Sequence, residues 1–424
     1  MAREFDIIVW GATGFTGALV AEYLFQRHGA RSNVRWAIGG RNAAKLNAVR
    51  GQLAAATVAA TPTATAQGRG AADDLAIVTA DAVDLDALRA LAARTKVFCT
   101  TVGPYARYGS TLVEACVAEG THYCDLTGEV PWMQQMIERF QVDAERSGAR
   151  IVHTCGFDSI PSDLGVYFVQ REMRARYGVA AKQVKYRARR FSGGFSGGTV
   201  ASMLNMLDEA DRDPQIRSII ADAYALNPHG QRTGPDGNDG TRAVYDSDFA
   251  SWTAPFVMAG INTRVVRRTN ALLGFPYGRD FRYDEATLVP GGFLAASAMS
   301  LGMGAFQGAA AIAPLRRLLA GVLPKPGDGP TAAQRERGYF DIALLALHPG
   351  DPSTSASKNI RATVKGDRDP GYGSTAKMLG EAAQCLAHDA LSVGGGFWTP
   401  ASAMGDALLN RLIEHAGVSF SLDN

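Results

Sequence analysis

FDIIVWGATGFTGALVAE, residues 5–22, joins a short apolar run to a glycine-spaced turn and then to a helix-forming segment. Phe5 to Trp10 is apolar apart from Asp6, the pattern of a strand covered on both faces. Gly11, Gly14 and Gly17 follow at once. In a βαβ unit the first such glycine permits the tight turn, the second lets backbone approach a diphosphate, and the third lets the helix pack on the strand. Amides at the head of the helix, near Phe15 and Thr16 and just past Thr13, then face the phosphates, with the positive end of the helix dipole behind them.

The spacing is GxxGxxG rather than GxGxxG, so its context carries the reading: a strand stands before it and another follows at the expected distance. That second strand is expected over Val34–Ile38, leading into Gly39, Gly40 and Arg41. A carboxylate at this place binds a ribose 2′-hydroxyl, whereas an arginine accommodates a 2′-phosphate. Arg41, backed by Asn42 and Lys45, therefore selects NADP over NAD as the expected cofactor.

At 424 residues the chain is too long for one ordinary core, and 46% hydrophobic with 20% charged residues is a folded-protein composition. A net charge of +2 supplies no basic excess for nucleic-acid binding. Five cysteines without a CxxC pair fit a reduced cytosolic setting, and the N-terminus has no secretory pattern. Seven scattered histidines form no ligand spacing, so no metal is expected.

Beyond Arg41 a helix reaches about Leu53, and the Ala/Thr-rich stretch Ala54–Asp74 reads as a surface insertion. Leu75–Thr79 is the third strand. It leads to Asp81, placed either to touch the adenine edge or to stand as an ordinary loop carboxylate. Val97–Val102 is the fourth strand. It ends in Gly103, Pro104, Tyr105, Tyr108 and Gly109, a loop that should border the nicotinamide half of the cofactor. His122–Asp125 and Arg150–Cys155 complete six alternating units by residue 157: an α/β fold, a doubly wound parallel Rossmann sheet.

From Ser162 the pattern changes. Gln183–Phe191 reads as a strand with Lys185, Arg187 and Arg189 on one face; SGGFSGG (Ser192–Gly198) reads as a turn, and Lys325–Pro330 as a break. Asn262–Arg268 (NTRVVRR) and Phe281–Ala286 read as further strands, and Ala401–Ala416 as a closing helix. Strands mixed with helices imply a second, α+β domain. Ala286–Leu315 carries no charged residue. It reads as a membrane span, a buried core helix, or a surface that meets a lipid chain or the membrane interface.

These residues resemble the saccharopine dehydrogenase-like oxidoreductases, and within them the trans-acting enoyl reductases. The resemblance rests on GATGFTG, GGR (39–41), TTVGPYARYG (100–109), DLTGE (125–129), CGFDSIPSD (155–163), NTRVVRR and TPASAMGDALL (399–409), and so covers nearly the whole chain. It implies a Rossmann domain (1–157), a saccharopine-reductase-like domain for substrate and dimerisation (158–370), and a C-terminal segment (371–424) whose helix returns to the first. It also implies NADPH-linked reduction of a carbon–carbon double bond in a lipid-like or carrier-bound acyl substrate. Expected partners are an acyl carrier domain, a membrane surface and a second copy of the chain.

Enoyl reduction needs a hydride, a group that stabilises the enolate and a proton. The cofactor supplies only the hydride. Tyr105 is the candidate donor, with Tyr108 its rival; packing or a ribose contact is the competing role. Asp158 and Ser159 are candidates to orient substrate or relay a proton, and Asp125 and Glu129 to line the same cleft. For Asp158 and Asp163 helix capping competes. Lys185, Arg187, Arg189 and Arg190, with Arg264, Arg267 and Arg268, form either a face that steers an acidic partner or a solvated strand face. The alternatives to an enoyl reductase are an NADP-binding sensor without turnover, a saccharopine-type C–N dehydrogenase and a thiol enzyme using Cys155 with His153. A short-chain dehydrogenase would need YxxxK, which none of the thirteen tyrosines provides.

Overall fold

The protein's structure, a computed structural model, describes residues 3–30, 32–60, 72–193, 197–323, 329–350 and 356–423. The chain opens with β1 (Phe5–Trp10), α1 (Phe15–His28), β2 (Trp36–Gly40), α2 (Ala43–Ala60) and β3 (Ala76–Thr79). It continues through α3 (Leu85–Ala92), β4 (Thr95–Thr100), α4 (Tyr105–Tyr108), α5 (Ser110–Ala118), β5 (His122–Cys124), α6 (Val130–Ser147) and β6 (Arg150–Val152). Every residue of β1 is buried, as the uninterrupted apolar run requires of a strand covered on both faces.

Next come α7 (Ile160–Tyr177), β7 (Gln183–Ser192), α8 (Gly197–Arg212), α9 (Pro214–Ala221), β8 (Val244–Asp246), β9 (Ser251–Pro255) and α10 (Ala259–Leu272). They are followed by β10 (Arg282–Val289), α11 (Gly292–Ala311), α12 (Ala313–Val322), α13 (Ala332–Arg337), β11 (Tyr339–Leu347) and β12 (Ile360–Gly366). The chain closes with α14 (Thr375–His388), β13 (Gly396–Trp398), α15 (Pro400–His415) and β14 (Val418–Leu422).

One seven-stranded sheet has the order β13-β6-β5-β4-β1-β2-β3, with every pairing parallel. This is the doubly wound Rossmann order with β13 added at one edge. The chain reverses direction across the sheet between β1 and β4, which opens a crevice at their carboxyl ends. The second sheet, β14-β12-β11-β7-β10-β9-β8, is mixed: β7 and β10 run parallel and its other pairs antiparallel. The α/β class with a second α+β unit is therefore present as expected.

Several elements differ from the reading of the sequence. NTRVVRR lies inside α10, not in a strand. Its arginines at 264, 267 and 268 follow helical i, i+3, i+4 spacing, and all three are buried. β2 starts two residues later than expected, so Gly39 and Gly40 lie within the strand. β13 and β14 went unread, and the chain closes on a strand after α15. α2 continues through Ala54 to Ala60, while residues 61–71 of the Ala/Thr-rich segment lie outside the described residues. So do residues 194–196 of the SGGFSGG turn and 324–328 at the break before Pro330.

Candidate active site and cofactor cleft

Gly11 takes a positive φ of 87° at the turn after β1, a conformation that favours glycine. A β-carbon on Gly17 would overlap the Gly11 carbonyl, so α1 can lie this close to the strand only with glycine there. Gly14 is different. Its φ of −81° suits any residue, and a β-carbon there meets only the Gly11 carbonyl oxygen, at 3.3 Å. The space in front of Gly14 is open, and Thr13 and Gly14 are exposed. The Gly14 amide donates to Gly11 O and that of Ala18 to Gly14 O, both at 2.9 Å. The amides of Phe15 and Thr16, in the first turn of α1, have no intrahelical acceptor. The geometry fits a diphosphate.

Arg41 stands exposed directly after β2, with no ion pair among the described residues. Lys45, also exposed, donates its backbone amide to Asn42 Oδ1 at 3.0 Å. Asp81 lies past the end of β3, exposed, and accepts from the Val83 amide at 3.2 Å. A residue the sequence did not single out completes this rim. The Arg335 guanidinium lies 5.5 Å from the Phe15 ring, whose edge contact with Tyr372 has a centroid spacing of 5.2 Å. A cation is thus held beside the head of α1.

Across the crevice, Gly103 and Pro104 lead into α4. The buried Glu129 carboxylate accepts from the amides of Tyr105 and Ala106, both at 2.9 Å, and ties DLTGE to GPYARYG. Burial raises its pKa, and these two amides oppose the rise. The Ser202 side chain of α8 also bonds Glu129, and Ser202 stands over Gly103, so α8 overhangs the loop. Tyr105 is buried. Its hydroxyl donates to Thr100 O at 3.3 Å and accepts from the Leu126 amide at 3.2 Å. Burial, with the charge of Asp125, pushes the phenol well above its ordinary value, which makes it a weaker acid. Tyr108 is 41% exposed.

Asp125 and His153, past the carboxyl ends of β5 and β6, form a pair the sequence reading missed. His153 Nδ1–H donates to Asp125 Oδ2 at 2.7 Å, and the Tyr123 hydroxyl donates to the same oxygen at 2.9 Å. The amides of Thr127 and Thr154 both reach Oδ1 at 3.1 Å. Thr154 holds a φ of +61°, a strained setting for a β-branched residue. Cys155 does not face His153 as a nucleophile. Its thiol is buried, its contacts are backbone carbonyls, and burial raises its pKa well above normal. Such a thiol is inert.

The turn after β6 carries Asp158, which does not cap α7: the N-cap is Ser159, with no side-chain cap bond. Withdrawal from water, reinforced by the charge of Asp125, lifts the Asp158 carboxyl to about 7. Ser159 donates to Asn262 Oδ1, and Asn262 Nδ2 donates to Glu285 Oε2, each at 3.0 Å. Tyr283 donates to Glu285 Oε1 at 2.6 Å. This buried chain runs from the Rossmann edge through α10 to β10. Asp163 accepts from Thr269 Oγ1 and from the Ala401 amide, so it caps α15 rather than its own helix.

Most of the basic strand face is tied up in ion pairs, and only Arg190 of its four cations is exposed without an ion pair among the described residues. Lys185 pairs with Asp246 and Asp248, Arg187 with Asp246 and Asp284, and Arg189 with Asp341 and Asp423. Arg264, Arg267 and Arg268 donate to backbone carbonyls of residues 220–226 from within α10. The run Ala286–Leu315 is no buried core helix, because α11 buries only Ala296, Ser300 and Ala310. Among the described residues no single helix is long and apolar enough to cross a membrane.

A Rossmann sheet with open amides at its first turn, facing an overhanging mixed-sheet unit, defines a dinucleotide-dependent oxidoreductase. Comparison with known proteins narrows the class. Residues 7–152 match the saccharopine dehydrogenase NADP binding domain. A Mycobacterium tuberculosis relative whose name proposes a trans-acting enoyl reductase is 43% identical, covering 98% of this chain and 97% of its own. The trans-acting enoyl reductase of Mycobacterium ulcerans is 38% identical over 97% of this chain and 96% of its own. Saccharopine dehydrogenase (L-Glu forming) from Saccharomyces cerevisiae shares the fold at 13% identity, with a TM-score of 0.52 over 99% of this chain and 100% of that one. The chain belongs to the trans-acting enoyl reductase family of saccharopine dehydrogenase-like, NAD(P)-dependent oxidoreductases.

Proposed function

We propose that this protein uses NADPH to reduce a carbon–carbon double bond conjugated to the carbonyl of a lipid-like acyl substrate presented as a thioester. One observation carries the reading: a carboxyl group titrating near neutrality, Asp158, follows β6 on the sheet edge where the amides of Phe15 and Thr16 stand open. The names of the relatives support the same reaction.

When bound, NADPH supplies a hydride for the β carbon. The amides of Phe15 and Thr16, past the open Gly14, hold its diphosphate; Arg41 and Lys45 take the 2′-phosphate; Asp81 meets the adenine side. Gly103 and Pro104 border the nicotinamide. Asp158, whose carboxyl is lifted to about 7 so that its protonated form persists toward neutral pH, delivers the proton to the α carbon. Tyr105 acts by position: its hydroxyl joins the loops after β4 and β5 and fixes the wall beside the nicotinamide.

A C–N dehydrogenase acting on amino acids needs free guanidinium groups to anchor substrate carboxylates. Arg187 and Arg189 of β7 and the three arginines of α10 are instead spent on internal carboxylates and carbonyls, with Arg187 on Asp246 and Arg267 on Asp236, while Arg190 near the end of β7 is exposed. This favours the enoyl substrate. The proposal extends to an acyl carrier domain as presenting partner, to a homodimer, and to functional units at 1–157, 158–370 and 371–424.

The test follows NADPH consumption with medium-chain enoyl thioesters, free and carrier-bound. Label from deuterated NADPH should appear on the β carbon of the saturated product. NADPH binding without consumption on any acyl thioester would replace the enzyme with a sensor, and label transferred to an imine carbon would replace it with a C–N dehydrogenase.

A further inference from the structure

Between Glu285 and Asp328 the sequence holds no carboxylate. Most of that stretch forms α11 and α12, which meet at 111°. Their apolar side chains point away from the protein: Leu294 is 81% exposed, Leu301 73%, Leu318 69% and Val322 82%. Exposed leucines scattered singly need no explanation, but a continuous apolar face marks an interaction site. Arg316 turns inward onto Asp208 and Asp211, at 2.7 and 2.6 Å, and leaves Arg317 as the exposed charge of the two helices. Alongside α11, Trp252 of β9 lies 4.8 Å from Phe293 and 5.6 Å from the half-exposed Tyr245, giving the face an amphipathic aromatic border.

The geometry points to a docking surface for an anionic lipid leaflet, with α11 and α12 lying in the headgroup region and not crossing it. Protruding leucines suit a deformable acyl layer, the Trp252–Tyr245 border suits the headgroup level, and Arg317, with the nearby Asp208 and Asp211 engaged by Arg316, offers a cation to anionic headgroups. A second copy of this chain fits poorly. A two-fold contact sets the patch against itself, and the carboxylates beside α12, Asp208 and Asp211, are already held by Arg316, so Arg317 would have to compete for them. The sharp bend between the helices opposes a straight span. α8 touches both helices while its Ser202 stands over Gly103, so a docked leaflet lies one helix away from the cleft.

The test is flotation of the full-length protein with phosphatidylcholine vesicles, with and without phosphatidylglycerol. The wild type should float with the anionic vesicles. A triple variant, Leu294→Ser, Leu301→Ser and Leu318→Ser, should lower the bound fraction about tenfold or more. Arg317→Glu should lower it several-fold on anionic vesicles alone. All these positions are exposed, so both variants should keep the wild-type Tm. A wild type that stays unbound, or a triple variant that floats equally well, overturns the proposal. So does light scattering that shows a wild-type dimer reduced to a monomer by the triple variant, since a second copy would then cover the face.

Discussion

The turn after β1 and the turn after β6 stand on the same edge of one parallel sheet, yet they are made of different material. The first is backbone: open amides at the head of α1, two glycines required by close packing, and Gly14 with room in front of it. The second is side chain: Asp158 near neutrality, the buried Asp125–His153 pair, and a threonine held at positive φ. One recognises a phosphate that every dinucleotide carries, while the other must meet a particular reacting group. A backbone site tolerates side-chain change and fails when space is filled. A side-chain site fails when one functional group is exchanged for its isostere.

The sharpest break in that contrast is Asp158→Asn. Loss of the proton donor should lower kcat by about 10²–10⁴-fold, with cofactor Kd unchanged. As the donor is the protonated carboxyl, wild-type kcat/KM should be highest below about 7 and fall as pH rises through that value. A pH profile flat across this range, or an Asn variant of wild-type rate, would move the proton to another group, with the 41% exposed Tyr108 next in line.

Gly14→Val tests the backbone side. The added side chain enters the open space and presses only on the Gly11 carbonyl oxygen, 3.3 Å from its β-carbon, so Tm should change little while cofactor Kd rises about a hundredfold or more, the scale of several charged hydrogen bonds lost together. Gly17→Val should do the reverse by wedging α1 off the Gly11 carbonyl and lowering Tm. Equal behaviour of the two valine variants would erase the distinction between a glycine kept for ligand and one kept for packing. Arg41→Asp is milder. Replacing a free cation with an anion should shift the ratio of NADP to NAD dissociation constants about 10–100-fold toward NAD, the worth of one charged hydrogen bond or ion pair. An unchanged ratio would pass the 2′-phosphate to Lys45 or Arg335.

The two turns also differ in how far they can be read from sequence. Glycine spacing after an apolar run is local, so GATGFTG and the six β/α units were legible. The Asp125–His153 pair joins residues 28 positions apart that become neighbours only because β5 and β6 pair. The signal lies in the like placement of both residues after strands, but the sequence reading pairs His153 with Cys155, two residues on. NTRVVRR was misread because three arginines among valines look like an exposed alternating strand. The i, i+3, i+4 spacing was the better guide, and the carbonyls that absorb these charges lie on a distant loop. β13 is three residues long and pairs with β6 from the far end of the chain, so no local pattern announces it.

The smallest expected effect concerns the buried chain that couples the two regions to the second sheet. Burial lifts Glu285 to about 7 in the folded protein, despite hydrogen bonds from Tyr283 and Asn262. A carboxyl raised on folding contributes stability that is complete below its ordinary value and is lost as pH rises through about 7. Glu285→Gln stays neutral throughout. It should shrink the fall in stability between about pH 5 and about pH 8 by an amount of order 1 kcal/mol, read from Tm at each pH. Asp158 and Asp163, both lifted to about 7, act in the same direction and keep part of the slope. A Gln variant as pH-dependent as the wild type would mean that Glu285 is ionised in the fold. Asn262 would then be donating to a charge, and the link from Ser159 to β10 would be electrostatic rather than a chain of neutral hydrogen bonds.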